Sequence, residues 1–240
     1  MVLLPLYNSL QKNLYLPLHL NNFMKGFGKM KTRFLKLMDY IPLISNRTKI
    51  QISISLVILA YISYIVHLET LDSAFCFIAM IFSFAGDVSL NGMPLEKRPN
   101  WLMYIGAAAF MVAHLVYAQA YYTLIKDSFE FFNLGMIISS TFMVLFLLIA
   151  IICVIKSKYS LNISMIIIFG IYAFIIGINF ITICSYSWSA KSLSFVGALS
   201  FLISDAIIGI ETVFKIKSSI LRKLVWIFYP IGQFLIIACR

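Results

Sequence analysis

Seven apolar stretches follow one another from about residue 49 to the end of the chain. They fall at about 49–68, 71–90, 100–123, 133–155, 160–184, 192–213 and 223–239. Each is close to the ~20 residues that an α-helix needs to cross the hydrocarbon core of a bilayer. No water is available there to satisfy a backbone N–H or C=O, so only helices and closed barrels span it. The stretches are continuously apolar rather than alternating, which selects helices. Their short connections favour antiparallel neighbours. The expected fold is therefore all-α, a polytopic transmembrane bundle of seven helices over residues 49–240. Composition points the same way. Of the 240 residues, 62% are hydrophobic and 12% charged. A soluble domain is about half apolar and about a quarter charged, so this chain lacks the charge to cover a water-facing surface.

The net charge of +10 would point to nucleic acid in a soluble protein. Here the cations gather in the segments between spans, where they set topology, and no nucleic-acid partner is expected. Sixteen of the nineteen lysines and arginines precede the first span, sit in the second, fourth and sixth connections, or stand at the adjoining span edges as Lys49 and Lys223 do. Lys126, Lys191 and Arg240 remain on the other side. The positive-inside rule then places the N-terminus in the cytoplasm and the C-terminus on the opposite side, which requires an odd number of crossings. Residues 1–48 form a basic arm. Its segment "MKGFGKMKTRFLKLMDY" (24–40) is partly amphipathic and suits either the surface of anionic lipid or a solvated tail. Pro5, Asn8, Gln11, Lys12 and Asn13 interrupt its first apolar run, so a secretory signal peptide is not expected. The four cysteines, Cys76, Cys153, Cys184 and Cys239, form no CxxC and read as small buried hydrophobes.

Ionisable side chains at membrane depth are costly and mark functional candidates. Asp87 stands near the end of the second span in "FSFAGDVSL", and Asp205 stands inside the sixth in "GALSFLISDAIIGIET". Both fall towards the cytoplasmic end, so they are expected to face one cavity opening to that leaflet. His114 lies within the third span. Gly106, Phe110, His114 and Tyr117 share one helical face, as do Gly197, Phe201, Ser204 and Asp205, and as do Tyr229 and Gln233. Depth alone leaves two roles for the acids, an active site or hydrogen-bonded struts between helices. For Tyr117, Tyr172, Asn179, Tyr229 and Gln233, packing and interhelical hydrogen bonding are the simpler role. The three histidines are His19, His67 and His114. Only one of them is intramembrane, too few for a histidine-built zinc site. Neither a GxSxG elbow nor a phosphate-binding glycine loop is present.

"FSFAGDVSL", "GAAAFMVAHLVYAQAYY", "VGALSFLISDAIIG" and "YPIGQ", in that order, resemble the YhhN family of lysoplasmalogenases. The matching positions are Gly86-Asp87; Gly106, Phe110, His114 and Tyr117; Gly197-Ala198, Phe201 and Ser204-Asp205; and Tyr229 with Gln233. Members of that family usually carry eight helices and a Lys-Pro before the Gly-Asp helix. The resemblance thus allows an eighth helix, although seven apolar stretches and no Lys-Pro are found here. It implies a membrane hydrolase that cleaves the vinyl ether of a lysophospholipid to a fatty aldehyde and a glycerophospho-alcohol. Asp87 and Asp205 would be the acid/base pair, much as two carboxylates serve glycosidases. His114, Tyr117, Tyr172, Ser204, Tyr229 and Gln233 would support them or bind substrate. Neither metal nor cofactor is expected; the lipid bilayer and the lysophospholipid are the expected partners. The alternative is a small transporter or a proton- or cation-binding bundle using the same two aspartates.

Overall fold

A computed structural model of the chain describes residues 42–67, 70–91, 100–126, 132–155, 163–213 and 218–240. Among these there are seven α-helices and no strand. They are α1 (Asn46–Val66), α2 (Leu71–Asn91), α3 (Asn100–Ile125), α4 (Leu134–Ile155), α5 (Ile163–Ala190), α6 (Ser194–Val213) and α7 (Ser219–Ala238). All seven are long and apolar enough to cross a membrane. The chain is a multi-pass membrane protein. The basic arm up to residue 41 lies outside the described residues. So do Lys97, Arg98, Lys156, Lys158, Lys215 and Lys217, on which much of the charge bias rests.

Helix ends differ from the hydropathy limits where polar side chains serve the backbone. Ser45 caps α1, its Oγ accepting from the Thr48 N–H at 3.1 Å, so the helix starts before residue 49. Ser218 does the same for α7, accepting from the Leu221 N–H. Helix α5 runs six residues beyond its expected end at 184. In this extension the Ser187 hydroxyl folds back onto the Ile183 carbonyl at 2.7 Å. Asn133 donates from outside α4 to the Ser185 carbonyl. Lys191 takes φ 53° and ends the helix in the left-handed region.

Helices α1, α2, α3, α5, α6 and α7 pack in that order into a closed ring, with α7 returning to α1. Helix α4, among the least buried spans, packs on the outside of α5. The ring brings the polar faces of six helices inward. Glycines fix how closely they approach. A Cβ on Gly232 of α7 would stand 2.8 Å from the Phe201 backbone nitrogen and 3.0 Å from the Gly197 carbonyl of α6. The two backbones are thus in direct contact, as small residues permit in membrane bundles. A Cβ on Gly86 of α2 would fall 2.6 Å from the Phe110 ring of α3. At the end of the bundle away from Asp87, Arg240 pairs with Asp72 at 3.2 Å and donates to Ser63 at 3.0 Å. This joins the end of α7 to α1 and α2.

Candidate active site

Asp87 lies one turn before the end of α2 and is only 3% exposed. Its Oδ2 accepts two short hydrogen bonds, from Ser53 Oγ of α1 and from Tyr229 OH of α7, both 2.6 Å. Three helices therefore converge on one carboxylate oxygen. The Asp87 backbone carbonyl accepts from Asn91 Nδ2 at 3.1 Å. Asn91 Oδ1 in turn accepts from Lys49 Nζ at 3.3 Å.

Asp205, on α6 and 8% exposed, has a different set of partners. Its Oδ2 accepts from Tyr172 OH of α5 at 3.0 Å and lies 3.0 Å from His114 Nε2 of α3. The Asn179 amide nitrogen of α5 stands 2.9 Å from His114 Nδ1. An amide NH₂ only donates, so Nδ1 accepts and the ring proton sits on Nε2, aimed at Asp205. His114 is 1% exposed, so nothing outside the bundle competes for that proton. Ser204 Oγ donates to the Phe201 carbonyl at 2.8 Å and lies 3.4 Å from Asp205 Oδ1.

The ring of Phe201 joins the two clusters. Its centroid is 4.6 Å from that of His114 and 5.5 Å from that of Tyr229, the latter edge-on at 74°. Phe110 meets Tyr229 edge-on from α3. Both acids are buried, and the rings of Phe110 and Phe201 pack against their partners Tyr229 and His114. A cavity of about 140 Å³ does lie at the same end, lined by Lys49 of α1 and Arg222, Lys223 and Trp226 of α7.

Tyr117 and Gln233 belong to a separate network. Tyr117 OH donates to Gln233 Oε1 at 2.6 Å, and Gln233 Nε2 donates to Ser83 Oγ at 3.1 Å. Neither touches a carboxylate in these hydrogen bonds. Ser53 escaped notice in the sequence, and Lys49 was counted only among the topology-setting cations. Ser53 is one of two serines in "QISISL", and only the helical phase relative to α2 separates it from Ser55, which bonds back to the Gln51 carbonyl. Asn179 was read as packing and interhelical hydrogen bonding, and its amide does bond across helices, to His114. Among the described residues no three His, Cys, Asp or Glu side chains are placed to hold a metal ion.

Chemically, the site offers two buried carboxyl groups in unlike settings. One is paired with an imidazole N–H and a phenol; the other is held by two hydroxyls. Neither a curated protein nor a solved structure matches the chain. A family model does, over residues 47–239, and the chain belongs to the YhhN family.

Proposed function

We propose that the protein is an intramembrane hydrolase that cleaves the vinyl ether of a single-chain ether phospholipid, with Asp87 and Asp205 as the acid/base pair. The observation that carries this is the burial of two acids with different partners in clusters joined by the Phe201 ring. Asp205 faces the Nε2–H of His114 and the Tyr172 hydroxyl and is assigned as the base. Asp87 receives only the neutral hydroxyls of Ser53 and Tyr229, both on Oδ2, and is assigned as the proton donor.

Asp87 protonates the β-carbon of the vinyl ether, giving an oxocarbenium ion that the Asp205 carboxylate stabilises. Water adds to this cation and loses its proton to Asp205. The hemiacetal then breaks its bond to the glycerol oxygen, which takes the proton held by Asp205 while the hemiacetal hydroxyl returns a proton to Asp87, yielding a fatty aldehyde and the glycerophospho-alcohol. Ether and water are consumed, and both acids regain their starting protonation. The family assignment supports hydrolysis as the class of reaction. We place the N-terminal side of the bundle, with Asp87 and the basic cavity, in the cytoplasmic half on the strength of the charge bias.

The test is hydrolysis in D₂O with immediate trapping of the aldehyde. Protonation at carbon puts one deuterium next to the carbonyl of each product molecule. Aldehyde without that deuterium rules the mechanism out. The chain Asn179–His114–Asp205–Tyr172 also suits a proton-coupled transporter. Substrate flux into proteoliposomes, lost on Asp205 substitution and with no aldehyde formed, would select it.

A further inference from the structure

The cavity beside Asp87 is the strongest feature not used by the chemistry above. It lies between the N-terminal turns of α1 and α7, and its lining includes Asn46, Lys49, Arg222, Lys223 and Trp226. Three of these carry positive charge, and none of the lining residues is acidic. Cations that only set topology sit in solvated connections. Lys223 is instead 9% exposed, and Lys49 is partly buried with its Nζ 5.3 Å above the Trp226 ring. Two helix N-termini converge on the space, adding their positive ends. A water needs about 10–15 Å³ of such space, so the cavity of about 140 Å³ has room for a phosphate and the few atoms beyond it.

The cavity is also in register with Asp87. Lys49 lies one turn before Ser53, and Trp226 one turn before Tyr229, the two donors to that carboxylate. Trp226 packs edge-on to Tyr229 at 5.5 Å, and Lys49 reaches the Asp87 backbone through Asn91. One helical turn is about 5.4 Å. Five bonds separate the ether oxygen of a single-chain glycerophospholipid from its phosphorus. At the reach of an extended chain, about 3.5 Å for every three bonds, that is about 6 Å.

We propose that this cavity binds the headgroup phosphate of the single-chain lipid, with Lys49, Arg222 and Lys223 as its cationic contacts and Trp226 as the wall between headgroup and chemistry. This rests on the hydrolase assignment for the identity of the lipid. A non-cleavable probe separates the two. The full chain in a maltoside detergent, free of phosphate, is titrated with a saturated 1-O-alkyl-glycerophosphocholine and with the matching 1-O-alkylglycerol. Removing one charge-assisted contact, as in Arg222→Gln, Lys49→Gln or Lys223→Gln, is expected to weaken phospholipid binding about tenfold. Affinity for the alkylglycerol stays within about twofold. Arg222→Glu, at an exposed position, gives a larger loss and serves if Lys223→Gln does not fold. Equal wild-type affinity for the two lipids, or an equal loss on both, overturns the assignment. Inorganic phosphate binding as tightly as the alkylphospholipid also overturns it, in favour of a soluble anion. The expected pattern in a protein that releases no aldehyde from a vinyl-ether lipid keeps the phosphate site and removes the hydrolase.

Discussion

Tyr229 reaches from α7 to place its hydroxyl 2.6 Å from Oδ2 of Asp87 on α2. The same ring packs edge-on against Phe201, which lies over His114, the partner of Asp205. One phenol thus touches the first acid directly and the second through two rings. Tyr229→Phe keeps the ring contacts and removes the donor. Asp87 becomes charged as it gives up its proton, and a hydrogen bond to a charged group contributes about 1.5–3 kcal/mol, so the rate of aldehyde release is expected to fall about 10- to 100-fold. The thermal midpoint should move little, and a melting curve beside the rate assay checks both.

Asn179 fixes the proton of His114 on Nε2 by donating to Nδ1. In Asn179→Asp an acceptor replaces the donor, and a proton is drawn to Nδ1. ¹⁵N chemical shifts of the His114 ring are expected to report that change. The rate should drop roughly tenfold or more, as wrong tautomers cost in other acid/base sites. Unchanged shifts would show that Asn179 does not govern the ring.

Tyr117 and Gln233 satisfy one another and Ser83 away from the carboxylates. Tyr117→Phe leaves Gln233 Oε1 short of its donor in the bundle interior. The expected cost is about 1–3 kcal/mol of stability, read as a lower melting temperature, with the rate per folded molecule changed less than about threefold. A large loss of rate at full stability would instead put Tyr117 in the chemistry.

Gly232→Ala would push a methyl group against the Phe201 nitrogen and the Gly197 carbonyl. Backbone atoms have no rotamer to move into, so α6 and α7 must separate. Overpacking of this kind costs about 1–3 kcal/mol. Because Asp205 and Tyr229 ride on these two helices, both melting temperature and activity are expected to fall together.

How much of this was legible from the chain depends on what each feature needs. The spans were legible because a bilayer demands length and apolarity and little else. The inward faces followed from helical spacing, as with Phe110, His114 and Tyr117, all buried. Partner choice was not legible. Nothing in the sequence says that Asp87 takes Ser53 and Tyr229 while Asp205 takes His114 and Tyr172, because helix rotation and order around the ring decide it. Lys49 was counted among the topology-setting cations, since its place over Trp226 depends on α7 returning to α1. The expected span stopped at 184, where the apolar run ends, because hydroxyls that bond back into their own helix are indistinguishable in sequence from those facing water.

In the proposed mechanism two buried carboxyl groups perform one hydrolysis. It is tested most directly by aldehyde release from a vinyl-ether lysophospholipid, comparing wild type with Asp87→Asn and Asp205→Asn at equal amounts of folded protein. General acid and base groups each contribute about 10²- to 10⁴-fold, so each substitution is predicted to reduce the rate by at least about 100-fold while the bundle still melts cooperatively. Full hydrolysis by either folded variant would contradict the account and leave that aspartate as a strut between helices.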